Sequence, residues 1–180
     1  AIAKIAGIKL CQSYYEQYKD NFISIMPNNL YGRNDNFNPE TSHVIPGLIQ
    51  KIHKAKLNKD KCVKIWGSGK PLREFLHVKD LAEASLFLMK NISASKIHEL
   101  GLSHLNVGSG NEISIYKLAH LIKKIVGYKG EFIFDSQQPD GMPRKLLDSS
   151  IINKFGWDSK IDLEEGLLDL YLWYKKSYGS

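Results

Sequence analysis

The sequence contains little cysteine and no long apolar run. Only two of its 180 residues are cysteine, Cys11 and Cys62, and neither lies in a C-x-x-C or Cys/His ligand pattern. This scarcity excludes a disulfide scaffold and argues against a metal site, so we expect two packing thiols in a reducing, cytoplasmic compartment. No apolar segment approaches the ~20 residues of a membrane helix. The charged-then-apolar order of a signal peptide is also missing, and we expect no membrane partner.

A glycine-rich phosphate loop is missing as well. A nucleotide-binding α/β fold normally opens with a strand, a G-x-G-x-x-G turn and a helix whose N-terminus holds pyrophosphate. This chain has only the shorter G-S-G turns at 67–69 and 108–110. Lone G-x-G turns are better interpreted as tight exits from strands than as phosphate loops.

The composition that is present is typical of one globular domain, with 43% hydrophobic and 24% charged residues. The net charge is +6, and between residues 49 and 64 six lysines accompany one acidic residue. Such a run is most often a solvated helix face and loop. A phosphate-bearing ligand is the second interpretation. Nucleic acid is the third, because no aromatic residue interleaves the lysines.

Hydrophobic periodicity predicts helices that alternate with strands. Polar segments rich in Asn, Gly, Pro or Ser separate them and are predicted to be loops. Strands alternating with helices favour an α/β fold with some parallel pairing. The predicted helices are 1–20, 42–57 (capped by Ser42), 79–91, 114–126, 149–155 and 163–176; the strands are 21–26, 62–66, 75–78, 105–107 and 131–135; the loops are 27–42, 92–103 and 137–145.

Five segments in chain order carry a family resemblance. They are A-I-A-K-I-A-G from residue 1, M-P-N-N-L-Y-G-R-N-D-N-F from 26, S-H-V-I-P-G-L from 42, W-G-S-G-K-P-L-R-E-F-L-H-V-K-D from 66 and Q-P-D-G-M-P-R-K-L-L-D from 138. Together they span nearly the whole chain. In this order the sequence resembles the GDP-L-fucose synthase family of extended short-chain dehydrogenases/reductases.

The resemblance implies a fold and a domain division. The fold would be the C-terminal part of an NAD(P)-binding Rossmann fold plus a small α/β substrate-binding domain. Residues 1–32 would complete the Rossmann domain, and 33–180 would be mostly substrate-binding, with segments near 75–110 returning to the Rossmann sheet. The catalytic tyrosine, the glycine-rich strand and the epimerase cysteine of the family would precede Ala1. We therefore expect the chain alone to be inactive.

The resemblance also implies a reaction. Members of this family epimerise GDP-4-keto-6-deoxy-D-mannose at C3 and C5 and reduce C4 with NADPH, so the cofactor would be NADP(H) and the partner a GDP-linked keto-deoxy sugar. A homodimer and no nucleic-acid partner are implied too. Two alternatives stay open. One is a related GDP-keto-heptose or other nucleotide-sugar epimerase/reductase, and the other is a non-catalytic basic nucleotide-binding module.

Two residues are candidates for catalysis. Lys4 would follow the family tyrosine by one helical turn, where an ammonium favours the phenolate and contacts the nicotinamide ribose. Epimerisation needs a group that returns a proton near neutral pH, and the resemblance assigns this acid to His43. The simpler roles are a solvated helix lysine and a helix-capping histidine.

The remaining candidates are binding residues. The resemblance places Pro27, Asn28, Asn29 and Leu30 along the nicotinamide side of NADP(H), together with Lys4 and His43; the simpler role is an Asn-rich turn. It assigns Lys51, Trp66, Arg73 and Asp140 to the nucleotide-sugar, since a diphosphate needs cations and an aromatic wall suits a ring. Arg73 has a structural alternative in a salt bridge to Asp80 or Glu74. Arg144 and Lys145 have two interpretations, contact with phosphate and, more simply, solvation. His77, His104 and His120 are expected to be structural.

Overall fold

The computed structural model describes residues 1–179. Helices and strands alternate along this part of the chain, as the periodicity predicts. The helices are α1 (Ile2–Tyr18), α2 (Val44–Asn58), α3 (Val78–Asn91), α4 (Ala94–Glu99), α5 (Ile115–Val126), α6 (Ser150–Lys154) and α7 (Leu163–Tyr178). The strands are β1 (Ile25–Pro27), β2 (Asn29–Tyr31), β3 (Cys62–Trp66), β4 (Leu72–His77), β5 (Leu105–Val107), β6 (Glu112–Ser114), β7 (Glu131–Asp135) and β8 (Arg144–Lys145).

The strands form small and mostly parallel sheets. β1 pairs with β5, and β3 pairs with β7, both in parallel. β4 is the central strand of the third group: it pairs in parallel with β2 and β8, and antiparallel with β6. Parallel pairing requires crossover connections, which the intervening helices supply. The predicted α/β class is confirmed.

The larger hydrophobic core lies between α2, α5, α7 and the faces of β3 and β4. Helix α5 buries Leu118, Ala119, Ile122 and Val126, whose spacing of three to four residues places them on one helix face. Strand β3 alternates strictly, with Val63 and Ile65 buried and the residues between them exposed. This alternation directs Trp66 away from the core. It also exposes Cys62, so our expectation that Cys62 is a packing thiol is wrong, whereas Cys11 is half-buried.

The second core joins α3, α4, β5 and α6. Ala84 and Leu88 of α3 pack with Val107 of β5 and Ile152 of α6, and all four are almost completely buried. Close packing of this kind fixes β5 and therefore its parallel neighbour β1. The carboxyl end of β1 is where the candidate site begins.

The predicted loop 92–103 is wrong, because it contains α4. Ser93 caps this helix by accepting a hydrogen bond from the backbone N–H of Lys96. Ala94 and Ile97 are buried, and Ile97 packs in the second core. A serine followed by apolar residues three apart is a helix-start signal, but the surrounding polar residues obscured it.

Other boundaries also need correction. The strand predicted over 21–26 occupies only Ile25–Pro27, and β4 begins three residues before the predicted 75–78. The polar segments 27–42 and 137–145 contain the short strands β2 and β8, which exist through pairing with β4. Ser42 is not the cap of α2: the N-cap is His43, and its side chain makes no capping hydrogen bond.

Helix α1 differs from the others because it buries none of its residues. Its apolar side chains Ile2, Ile5 and Leu10 are 84%, 58% and 58% exposed. Amphipathic helices normally cover their apolar face. None of the helices within residues 1–179 has the length and apolarity needed to cross a bilayer.

Candidate active site

The main cavity lies at the carboxyl ends of β1 and β2 and beside the N-terminus of α2. Its volume is about 670 Å³. Ligands of open α/β sheets bind at the carboxyl ends of parallel strands, so this position is typical of a ligand site. The residues that line the cavity are Asn28–Asp35, His43–Pro46, Phe75, Val78 and Lys145.

Asn28 is the polar side chain that most clearly points to a ligand. It follows β1 directly, its backbone N–H donates to the carbonyl of Val107 at 3.4 Å, and it is 7% exposed. Both heteroatoms of its side-chain amide are buried without a hydrogen-bond partner in the described residues. An unpaired buried amide is costly, so a polar group that enters the cavity would satisfy it.

Asn29 and Lys145 are joined at the wall of the same cavity. The Asn29 amide donates to the Glu74 carbonyl at 2.8 Å, and Lys145 Nζ donates to Asn29 Oδ1 at 3.4 Å. Lys145 is exposed, as we expected of a solvated side chain, and it also lines the cavity. Strand β8 brings it there as the register partner of Arg73 on β4. Register partners on adjacent strands point to the same face, so the two cations are neighbours.

His43 lies where two cavities meet. It is exposed at the N-terminus of α2 and lines both the main cavity and a second one of about 550 Å³. Since its ring makes no capping bond, the predicted alternative of a capping side chain is wrong. The imidazole is free to meet a ligand that spans the two cavities.

The second cavity brings together Lys51 and Trp66. Trp66 ends β3 on its outward face and is 73% exposed. Lys51 lies on α2 and donates to the carbonyl of Lys64 at 3.0 Å. An exposed indole beside an ammonium suits a ligand that has both an aromatic ring and a negatively charged group. The lining of this cavity also includes Pro39, Glu40, Ser42, Gly47, Gln50 and Ile115.

Asp140 is tied to the turn after β3. Its Oδ1 accepts the backbone N–H of Ser68 at 2.6 Å, and its Oδ2 accepts the Ser68 hydroxyl at 2.7 Å. These hydrogen bonds lower the pKa of Asp140. Gly67 has a φ of +78°, and a Cβ there would overlap the Asp140 carboxylate, so only glycine fits.

Arg73 is half-buried beside this loop. One of its guanidinium nitrogens donates to the carbonyl of Leu72 at 2.8 Å, and Nη2 would lie 3.7 Å from a Cβ built on Gly141. It forms no salt bridge with Asp80 or Glu74 within the described part of the chain, so that structural alternative is wrong. Most of its donors therefore stay available.

The loop after β2 is fixed to α7 by an ion pair that sequence reasoning missed. Arg33 donates Nε to Asp169 Oδ2 at 3.0 Å, and its Nη2 bonds the other carboxylate oxygen. This pairing lowers the pKa of Asp169. Both residues are partly exposed and 136 positions apart in the chain, so no local pattern indicates the contact.

Lys4 and Pro27 lie outside these cavities. Lys4 is exposed in the first turn of α1 and contributes to neither cavity wall, and Pro27 is the last residue of β1. His77 has the structural role we expected: its Nδ1 accepts the backbone N–H of Lys79, and burial lowers its pKa. Residues 1–179 contain no cluster of three or more His, Cys, Asp or Glu side chains that could hold a metal ion.

Parallel strands, crossover helices and a cavity at the strand ends define an α/β protein with a candidate ligand site at the position that open α/β sheets use. Residues 1–108 match the model of the NAD dependent epimerase/dehydratase family. The chain belongs to this family, as the resemblance in the sequence predicted. That match covers the residues from α1 through β5, which form most of the main cavity.

Named relatives and a solved structure show which members of the family the chain resembles. The chain is 54% identical over 97% of its length to "Probable GDP-L-fucose synthase 1" of Oryza sativa subsp. japonica, of which it covers 51%. It is 50% identical, again over 97%, to GDP-L-fucose synthase of Escherichia coli, of which it covers 55%. The structure of MlghC, a GDP-mannoheptose C4 reductase from Campylobacter jejuni with NADP bound, superimposes with a TM-score of 0.84 at 38% identity, covering 97% of this chain and 59% of that one. The chain thus spans about half the length of the curated relatives it matches.

Proposed function

We propose that the protein containing this chain is a GDP-L-fucose synthase. It would epimerise GDP-4-keto-6-deoxy-D-mannose at C3 and C5 and reduce C4 with NADPH. The identity of 50–54% over 97% of the chain to proteins named for this activity supports the proposal. The observation that carries it is the main cavity, where an unpaired buried amide, an exposed imidazole and a lysine converge.

The residues at the strand ends fit a nicotinamide cofactor. Asn28 offers a buried donor and acceptor without partners, which a polar ligand would satisfy. Pro27, Asn29 and Leu30 supply the adjoining backbone, and Lys4 would contact the ribose. When bound, NADPH supplies the hydride for the C4 carbonyl.

His43 is proposed as the acid of the epimerisation. Removing a proton beside a ketone leaves an enolate, and a group on the other face must then return a proton to the carbon. An exposed imidazole with no capping bond, placed between two cavities, can present that proton. Histidine is the side chain that most often serves as a general acid or base.

The nucleotide-sugar is proposed to occupy the second cavity and the face of β4 that borders the main cavity. Arg73 and Lys145 would bind the diphosphate, because register pairing makes them neighbours. Lys51 would add charge, and Trp66 would pack on a ring of the ligand. Asp140 would bind a hydroxyl group only by sharing or releasing the hydrogen bonds from Ser68.

A turnover assay tests the proposed function. The protein made from the whole reading frame that contains these residues should oxidise NADPH when GDP-4-keto-6-deoxy-D-mannose is added, and NMR should show a product inverted at C3 and C5. Reactions without the keto sugar provide the blank. No turnover of this substrate would remove the proposal.

A GDP-keto-heptose reductase is the second candidate. The likeness to MlghC, with its TM-score of 0.84 at 38% identity, favours it. The two sugars differ in the chain beyond C5, so the same assay with a GDP-4-keto-heptose separates them. Faster turnover of the heptose, measured as kcat/KM, would select this candidate.

The domain division, the compartment and the oligomeric state are also proposals. Residues 1–32 with segments near 75–110 would belong to a Rossmann domain, and the second core, which joins α3, α4, β5 and α6, supports this. Two cysteines without a disulfide support a cytoplasmic location.

The exposed apolar face of α1 supports a homodimer. We expect light scattering to give the mass of a dimer for the full-length protein, and that of a monomer for Ile5→Glu combined with Leu10→Glu, since charges in an apolar interface are costly. Lys90→Glu, at an exposed position of α3, is the control and should leave the dimer intact. A monomeric wild type would contradict the proposal.

A further inference from the structure

We infer that Glu74 is a positioning residue for the phosphate-binding cations, an inference that rests on the proposed function. Glu74 lies in β4 between Arg73 and Phe75, and it is completely buried. Fully buried glutamates are rare unless something holds their charge. Its contacts explain why the chain places a carboxylate there.

The Glu74 carboxylate ties two distant segments to β4. Its Oε1 accepts the backbone N–H of Gly110 at 2.7 Å, and its Oε2 accepts that of Leu147 at 3.0 Å. Gly110 belongs to the turn after β5, and Leu147 follows β8. The bond to Leu147 therefore fastens the end of β8 to β4, and the bond to Gly110 fastens the turn between β5 and β6.

The segments that Glu74 fastens carry the proposed ligand residues. Lys145 stands two residues before Leu147, and Arg73 is its register partner directly before Glu74. The Glu74 carbonyl also accepts the amide of Asn29. The distance between Arg73 and Lys145 decides whether both can reach one diphosphate. That distance depends on the Glu74 carboxylate, because it connects the two segments that carry these side chains.

The carboxylate has no cationic partner within the described residues. Both of its hydrogen bonds there are to backbone N–H groups, and it takes part in none of the ion pairs. It does not neutralise Arg73, so that guanidinium keeps its charge for a ligand. Both carboxylate oxygens accept backbone N–H groups. Glutamine at this position would therefore place its NH₂ group, a donor, against one of those N–H donors.

Gly108 closes the space around Glu74. A Cβ at this position would overlap Glu74 Oε1 and would lie 2.9 Å from Ser149 Oγ. Alanine at position 108 would therefore push the carboxylate from the opposite side. This gives a second, independent way to disturb the same hydrogen bonds.

Calorimetry with GDP tests the inference on the full-length protein. We expect Glu74→Gln and Gly108→Ala each to raise the dissociation constant for GDP about tenfold, because displacement of the cations weakens charge-assisted bonds to phosphate. The dissociation constant for NADPH should change less than about twofold, since Asn29 bonds the Glu74 backbone, which both variants keep. A general loss of structure would weaken both ligands together.

Leu170→Ala is the matched control for destabilisation. Leu170 is fully buried in the larger core, and its truncation should lower the melting temperature without changing GDP affinity at a temperature below the transition. Unchanged GDP affinity in the Glu74 and Gly108 variants would overturn the inference. So would failure of both to fold while Leu170→Ala folds, because Glu74 would then serve folding alone.

The wild type separates this inference from the proposed function. If GDP binding weakens in the Glu74 variant but the wild type turns over no GDP-keto sugar, the proposed function is wrong and the positioning role stands. If the wild type turns over the substrate but GDP affinity is unaltered in the variant, the proposed function stands and the positioning role is wrong. A wild type that does not bind GDP would overturn both.

Discussion

Replacing His43 by glutamine should lower the rate of epimerisation by about 10²–10⁴-fold, the contribution typical of a positioned general acid. The substitution should be selective for this step. His43 is exposed and its ring makes no capping hydrogen bond, so its removal costs little stability. Glutamine keeps a polar side chain of similar reach but does not return a proton near neutral pH.

The two half-reactions are measured separately. In deuterated water, NMR reports exchange at C3 and C5 of the keto sugar, and NADPH absorbance reports reduction at C4. We expect deuterium incorporation with inversion at C3 and C5 to slow while NADPH is still consumed, which gives an incompletely epimerised alcohol. His98→Gln is the control, since His98 lies on α4 away from both cavities. Equal loss of exchange and reduction would count against His43 as the acid.

The sequence predicted elements whose signals are local. Helix α5 has a capping serine, an apolar face and a closing Gly127, and β3 and β7 occupy the predicted residues. It failed where strands exist only through pairing. β2 and β8 are two or three residues long in polar segments, and β4 organises them from more than 40 positions away. No periodicity can be detected over so short a length.

The candidate site was also predictable only where its residues lie in a local sequence motif. Asn28, Asn29, Leu30 and His43 were expected at the cofactor, and the structure places all four in one cavity wall. Lys145 was not singled out, because its place beside Arg73 comes from the register between β8 and β4. The resemblance named ligand residues, whereas the contact of Ser68 with Asp140 joins residues 72 positions apart and follows only from the fold.

Replacing Arg73 by alanine should weaken GDP binding by about 10- to 100-fold, which follows from losing hydrogen bonds to a charged group worth about 1.5–3 kcal/mol. Arg73→Lys should fall between alanine and wild type, because lysine keeps the charge but loses the planar fork that binds two oxygens together. Calorimetry with GDP and with guanosine separates the phosphate contribution: guanosine binding should be unchanged.

The comparison with Arg144 decides whether the effect belongs to position 73 or to net charge. Arg144 adjoins Lys145 in β8, but its guanidinium is already paired with Glu112, at 2.8 Å from Nε to Oε2, and it lies outside both cavities. Arg144→Ala removes the same charge from the same sheet, so a general electrostatic attraction would weaken in both variants equally. We expect GDP affinity to fall in Arg73→Ala and to stay within about twofold of wild type in Arg144→Ala, since an exposed, paired arginine contributes little. Equal losses of GDP affinity in the two variants would show that GDP is attracted by the basic surface in general and does not bind a diphosphate site on β4.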